Sequence, residues 1–224
     1  GITSSSDTEA ATPKGYGKIE YAYHLMAVEA GIEMTTSRLH HEGGRSHFMT
    51  KRFDRSANGG KWHMQSLGAI AHYDYRQPAS YSYEQAIQVI RRMGLPRKDM
   101  DQQVLRAIFN VVGRNCDDHV KNIAFLMNRR GEWRLSPAFD ISYAWNPSGE
   151  WTSRHQMSVN GKRDGFERED LLNLAKAADI KKARAEQMVQ RVIEAVRRWP
   201  DFAGEAGVND EQVKKIQASH RTSL

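Results

Sequence analysis

A single cysteine, Cys116, stands among 224 residues. Neither an internal disulfide nor a cysteine-rich zinc site can form from it, and a reducing compartment such as the cytoplasm is the expected setting. Long apolar runs are missing as well: no stretch approaches the roughly 18 consecutive apolar residues of a membrane-crossing helix. The chain therefore reads as soluble, with no membrane partner. Gly1 to Pro13 has neither the basic nor the apolar segment of a signal peptide. Its Ser/Thr/Asp/Ala mixture reads as a tail or as the edge of something longer. Proline is scarce at 6 residues beside 17 glycines, and 39% of residues are hydrophobic and 27% charged. That composition excludes collagen-like and largely disordered chains. Acidic residues are in the minority, and the net charge of +6 favours an acidic partner, nucleic acid or a phosphorylated ligand, without naming one.

The hydrophobic spacing organises the rest. Ile19, Ala22, Tyr23, Met26 and Ala27 share one face of a helix over Lys18 to Gly31, with Gly31 placed as its stop. Met34 to His40 and Ser46 to Phe53 are β-prone runs joined through Glu42-Gly43-Gly44, which predicts an antiparallel hairpin. A loop over Ser56 to Lys61 and a short helix over His63 to Ala71 follow. Ser82 and Gln85 have the spacing of a capping box. They open a helix that Gly94 and Pro96 end, and a second helix spans about Asp99 to Val112. Ile123 to Met127 and Trp133 to Leu135 read as strands around the turn Asn128-Arg129-Arg130-Gly131, and Asn160-Gly161 marks another tight turn. Three helices are expected to close the chain, with Asn209 capping the last. The basic residues Lys181, Lys182, Arg184, Arg191, Arg197 and Arg198 read as a solvated face, nucleic-acid contact being their rival reading.

Chemistry-bearing residues concentrate in Arg114-Asn115-Cys116-Asp117-Asp118-His119-Val120-Lys121-Asn122, directly after a helix ends. Eighteen residues past Asn122 stands Asp140, at the exit of the second strand of the second hairpin. Antiparallel pairing returns the chain to the end it left, so Asn122 and Asp140 are predicted neighbours. An amide oxygen beside a carboxylate suits Mg²⁺, which keeps room for phosphate oxygens and water. A separate aspartate that takes or orients a hydroxyl proton completes the needs of phosphoryl transfer. Asp117, with four residues between it and Asn122, has the register of a kinase catalytic loop, whereas Asp118 has three. A metal-dependent hydrolase using His119, Asp117 and Asp140 is a second reading of the same residues. Cys116 reads as a small buried group, and Ser142 and Ser148 as surface serines in an activation-type segment.

Phe48-Met49-Thr50-Lys51-Arg52-Phe53-Asp54-Arg55, Asp117 to Asn122, Leu135-Ser136-Pro137-Ala138-Phe139-Asp140 and Met157-Ser158-Val159-Asn160-Gly161-Lys162 together resemble the successive signatures of the HipA family. These are bacterial serine/threonine kinases that act as toxins of toxin–antitoxin pairs. The resemblance runs from about Gly17 to His220. It implies an α+β, protein-kinase-like fold, with a small-lobe remnant over residues 1–55 and a mostly helical large lobe over 56–224. It further implies ATP and Mg²⁺ as cofactors, Asp117 as the catalytic aspartate, and Asn122 and Asp140 as metal ligands. Lys51 to Phe53 would be the hinge strand against adenine, Asp54 would reach the ribose side, and His119 would lie by the phosphates. Glu20 resembles the glutamate that pairs with a nucleotide-binding lysine. The implied partners are a protein substrate and a helix-turn-helix antitoxin of the HipB type, with DNA reached only through that antitoxin.

The sequence departs from the pattern before the first helix. Gly1 to Lys14 holds no Gly-x-Gly loop, and Lys14 and Lys18 fall too near the helix to serve as the strand lysine. These 224 residues alone are therefore expected to be impaired. A reading from another class is a non-catalytic module that binds DNA or an antitoxin.

Overall fold

In the computed structural model, which describes residues 15–56, 59–77 and 79–224, helices are the main regular elements and two small sheets flank one core. The stretch before Gly15, on which the missing phosphate loop was sought, lies outside the described residues. Helix α1 (Tyr16–Glu29) buries Ile19, Ala22, Tyr23, Met26 and Ala27, the face its spacing predicts. It stops where Gly31 turns left-handed at φ 88° and the Ile32 N–H reaches back 3.0 Å to the Ala27 carbonyl. Strands β1 (Ser37–Glu42) and β2 (Arg45–Thr50) form the first hairpin, antiparallel and in register from Ser37↔Thr50 to Glu42↔Arg45. Gly43 and Gly44 both take positive φ, as a tight turn between twisted strands requires. The predicted runs were longer; pairing stops at Thr50, and Lys51 to Phe53 leave the ladder.

The expected helix over His63 to Ala71 is divided. Its first half is β3 (His63–Ser66), antiparallel to β4 (Ala124–Met127), and only Leu67–Ala71 is helical, as α2. β4 offers a free edge opposite β5 (Trp133–Leu135), and ladder hydrogen bonds outweigh the local helical pattern there. In α3 (Tyr83–Arg92) the capping box is present: Ser82 Oγ accepts from the Gln85 N–H at 3.2 Å, and Gln85 Oε1 accepts from the Ser82 N–H at 2.8 Å. Helix α4 (Arg97–Val112) is buried on nearly every side over its second half and ends at Gly113.

Four helices close the chain, one more than predicted: α5 (Arg168–Ala177), α6 (Lys182–Arg197), α7 (Trp199–Ala206) and α8 (Asp210–Ser219). α7 restarts within one residue of α6, and Pro200 tolerates its first turn because no intrahelical donor is needed there. The fully buried Trp199 turns its ring edge toward Tyr23, centroids 5.3 Å apart, and so seats α7 against α1. The buried faces of α1 and of α3 through α8 belong to one hydrophobic cluster, while β1 and β2 contribute to it only through half-buried Leu39.

Candidate active site

Two loops meet beneath α1. The first begins where α4 stops: Arg114 takes a left-handed φ of 59°, and residues 114–116 pair with Ala144 through Ala144 N–H to Arg114 O (3.2 Å) and Cys116 N–H to Ala144 O (3.3 Å). Its far end is pinned by α2, whose Gly68 N–H bonds Val120 O at 3.1 Å and whose Leu67 N–H bonds Ile123 O at 2.7 Å. The second loop leaves β5. The Asp99 carboxylate accepts the Leu135 N–H (2.8 Å), Arg106 Nη2 donates to Ser136 O (2.7 Å), and Glu33 O accepts the Ala138 N–H (2.7 Å). Asp140 then adopts φ 55°, a left-handed conformation that costs a non-glycine residue energy and collects at functional sites.

Asn122 and Asp140 line one cavity, together with Asp118 and His119, as the hairpin argument requires. The Asn122 amide nitrogen donates to the Asp117 carbonyl at 2.9 Å. That bond fixes the loop and leaves the amide oxygen for another partner. Asp117 is half-exposed, its Oδ1 3.8 Å from His119 Nε2. Burial raises the Asp117 carboxyl above the usual range; His119 opposes this, while Asp140 and Asp118 push it further. Glu20, on α1, is raised to about 7, by burial first and by Asp140 second. Tyr16 feels Glu20, Asp140 and Asp117 together. Among the described residues neither Glu20 nor Asp140 has a lysine or arginine partner. Glu20, Asp140 and Asp117 thus bring negative charge to the edge of a cavity that the buried Arg106 also lines.

That composition fits a hard cation held with help from another molecule. Among the described residues no three His, Cys, Asp or Glu side chains stand together as an ion site, so the hydrolase reading lacks its ion-holding triad. Mg²⁺ is ordinarily held by one or two carboxylates plus waters and phosphate oxygens, and Asn122 with Asp140 supplies that share. A cavity of about 370 Å³ beside Lys61, Trp62 and Arg129 presents no carboxylate, so side-chain chemistry, not volume, locates the site.

The neighbouring aspartates have opposite environments. Asp118 is buried: Oδ1 accepts the Gln156 N–H at 2.7 Å, and Oδ2 accepts from Tyr83 Oη at 2.8 Å and from His155 Nδ1 at 2.7 Å. Asp117 is thus the solvent-facing one of the two aspartates. Cys116 is fully buried. Of the two serines, Ser142 is buried and Ser148 exposed.

On the hinge side, Phe53 packs on Phe139, ring centroids 5.5 Å apart, one residue from Asp140. Lys51 is exposed, its N–H bonded to Thr36 O at 3.0 Å. The Asp54 carboxylate is gripped by Arg52, at 2.8 and 2.6 Å, and by Arg55 at 2.6 Å. Those hydrogen bonds hold it well below the usual carboxylate range. At the outer lip, Lys121 Nζ sits 3.8 Å over the Tyr75 ring, which also lies against His119. Sequence reasoning missed Tyr83, Asn110 and His155 and gave Asn115 no role of its own, yet these four brace this site from below. The one signal for them was Asn110, a polar residue inside the apolar run Ile108-Phe109-Asn110-Val111-Val112.

A sequence model of the HipA-like C-terminal domain matches residues 5–199. Among solved structures, a chain of the complex of Shewanella oneidensis MR-1 toxin–antitoxin proteins HipA and HipB with operator DNA superposes with a TM-score of 0.71 at 16% identity. The match covers 92% of this chain and 54% of that one, so the present chain spans about half the length of that relative. At this identity the likeness establishes the fold, a mixed helix and sheet architecture. No curated protein matches the chain.

Proposed function

The chain belongs to the HipA-like C-terminal domain family, and from that premise we propose that it carries the catalytic part of an ATP-dependent serine/threonine protein kinase, the toxin of a toxin–antitoxin pair. In this reading the fold is protein-kinase-like, with residues 1–55 on one side of the cleft and 56–224 on the other. The observation that carries the proposal is the single cavity shared by Asn122 and Asp140, with the half-exposed Asp117 on the adjoining loop.

Asp117 takes or orients the proton of the attacking hydroxyl. Its raised pKa makes it a better base than an ordinary surface aspartate. His119, 3.8 Å away, turns its Nε2 toward that carboxylate and lies on the phosphate side. Asn122 and Asp140 would hold Mg²⁺, which supplies charge neutralisation at the transferring phosphoryl group. Phe53, backed by Phe139, offers an apolar wall for adenine, Lys51 brings backbone to the same strip, and Asp54 is the candidate for the ribose.

The partner is proposed to be a HipB-type antitoxin, with DNA engaged through it. Half of the basic residues on and beside α6 are engaged within the chain. Arg184 pairs with Asp101 at 2.7 Å, Arg197 caps Thr222 O at 2.8 Å, and Arg198, one residue past α6, pairs with Glu29 at 2.6 Å.

Calorimetric titration with ATP tests the reading without depending on turnover. Binding is expected to require Mg²⁺ and to weaken at least about tenfold in Asp140→Ala and in Asn122→Ala, the loss of roughly one charge-assisted contact. Binding indifferent to both substitutions would overturn it.

A further inference from the structure

We propose that Arg221, in the segment that follows α8, is a positioning residue for the phosphoryl-transfer site. It acts through a buried hydrogen-bond chain that ends on both the Asp117 loop and the Asp140 backbone. The inference rests on the kinase reading for its consequence, but the chain itself is geometry. Arg221 also lies beyond residue 199, where the match to the family ends.

The chain can be followed donor by donor. Arg221 Nη1 stands 3.2 Å from His155 Nε2, and His155 Nδ1 stands 2.7 Å from Asp118 Oδ2. Asp118 is an acceptor, so a ring hydrogen sits on Nδ1. Burial lowers the imidazole but Asp118 outweighs it and raises the ring to about 9; a second proton on Nε2 would meet the Arg221 N–H₂ head-on, so the 3.2 Å contact is a hydrogen bond only with Nε2 bare, and there it takes the Arg221 donor. From the other side, Asn110 Nδ2 donates to Tyr83 Oη at 2.9 Å, and Tyr83 passes its one hydroxyl hydrogen to Asp118 at 2.8 Å. Asn115 Nδ2 donates to Asn110 Oδ1 at 3.0 Å and reaches the Asp140 carbonyl at 3.5 Å. Every hydrogen from Arg221 to Asp140 is directed, and none is duplicated. The chain touches the site twice, at Asp118 beside Asp117 and at the backbone of Asp140.

Arg221 is held for this task. Its side chain is about 11% exposed, Nη1 also donates to Val111 O at 3.1 Å, and Nη2 pairs with Asp164. Its N–H bonds Val112 O at 2.9 Å, at the end of α4 where the catalytic loop departs. Its guanidinium stacks 5.1 Å over Phe166, the ring that meets His155 edge-on. Removing it strips the buried Nε2 of its donor and frees the imidazole to turn. The disturbance then passes to Asp118.

The test compares three variants of the full chain. Arg221→Met removes the fork, and Arg221→Lys keeps charge and one donor and guards against a variant that does not fold. Arg197→Met loosens the same segment, through Thr222 O, without touching the chain of hydrogen bonds. Amide hydrogen exchange is read without ligand at residues 115–122 and 138–141, and Mn²⁺–ATP affinity is read by electron paramagnetic resonance. In Arg221→Met, exchange at both loops should rise about tenfold or more while α5 and α6 keep wild-type rates, with Arg221→Lys between the two. Arg197→Met should leave both loops unchanged, and Mn²⁺–ATP affinity should fall several-fold only in the Arg221 variants. Equal loop exchange in Arg221→Met and Arg197→Met overturns the proposal. Absence of Mn²⁺–ATP binding in the wild type overturns the kinase reading instead, and exchange still decides whether Arg221 holds the loops.

Discussion

The floor of the cleft and the strip at its hinge each centre on an aspartate with several partners, and the resemblance ends there. On the floor, Asp118 is sealed from water and receives three hydrogen bonds from two distant parts of the chain, Tyr83 and the adjacent pair His155 and Gln156. In the strip over residues 51–55, Asp54 is itself only 8% exposed but is gripped by its sequence neighbours Arg52 and Arg55, whose side chains are 66% and 35% exposed, so its partners and not the carboxylate are at the surface. A bond made in the interior is felt in full because its loss strands a desolvated group; a bond made at the surface exchanges readily with water and salt. The floor is therefore built to hold a geometry, and the hinge to be rearranged by whatever enters.

Asp118→Asn is the hardest blow to that contrast. All three partners are donors, so whichever way the new amide turns, its N–H₂ meets a donor. Urea unfolding should show a loss of roughly 3–5 kcal/mol. Asp117→Asn, one residue away and half-exposed, should shift stability by less than about 1 kcal/mol while cutting phosphoryl transfer by roughly 10²-fold or more. The reverse ranking would exchange the roles of the two aspartates.

Gly17→Ala attacks the other region. A Cβ there would stand 2.6 Å from the Ser46 carbonyl oxygen and 3.0 Å from the Phe48 nitrogen, so α1 and the backbone of β2 touch through the absence of a side chain. Alanine favours a helix by up to about 1 kcal/mol, yet the clash should leave the variant about 1–3 kcal/mol less stable. Faster amide exchange in residues 37–50, with α4 unaffected, would show that the hairpin is docked at this point. An unchanged hairpin would show that it sits loosely.

This division also decided what the sequence could reveal. Signals confined to a few neighbouring residues were legible: the Ser82–Gln85 box, the Gly31 stop, the Asn160-Gly161 turn with φ 49° and 76°, and the second hairpin that gathers Asn122 and Asp140. The preference for Asp117 over Asp118 came from spacing; that Asp118 is buried and Asp117 half-exposed was not readable from two adjacent aspartates. β3 was not legible because its strand state depends on the edge of β4, about 60 residues later. The bracing chain was not legible because Tyr83, His155 and Arg221 are unremarkable where they stand, Asn110 and Asn115 show only as polar residues in and after an apolar run, and tertiary packing alone lines up their donors.

Beneath the floor, His220 gives the contrast a pH axis. Tyr23 Oη donates to Gly113 O at 2.6 Å and so accepts the hydrogen of His220 Nε2 at 2.8 Å, which leaves Nδ1 buried and bare. Burial, with Arg114 adding to it, depresses the imidazole to about 3. The unfolded chain protonates this ring near its ordinary value of about 6.5 while the folded one refuses, so its contribution is intact above that pH and drains away as pH falls toward 3. At pH 5 the deficit should be roughly 1–2 kcal/mol. Denaturation of the wild type and His220→Gln from pH 7.5 to 4.5 isolates it: the variant keeps an N–H for Tyr23 and should lose less. Parallel curves would remove His220 as the cause.

The smallest effect belongs to Asp54, and it discriminates most. Asp54→Asn releases two arginines already near water, so the unfolding midpoint should move by no more than about 2 °C, and raising salt to about 0.5 M should erase the difference. ATP affinity is the separate question. If the carboxylate leaves its arginines for the ribose hydroxyls, the substitution weakens Mg²⁺–ATP binding several-fold and does so at high salt too, because a bond enclosed by ligand and hinge is poorly screened. If affinity follows stability and salt cancels both, Asp54 is only a local clamp on residues 52–55, and the hinge contributes Phe53 and backbone alone.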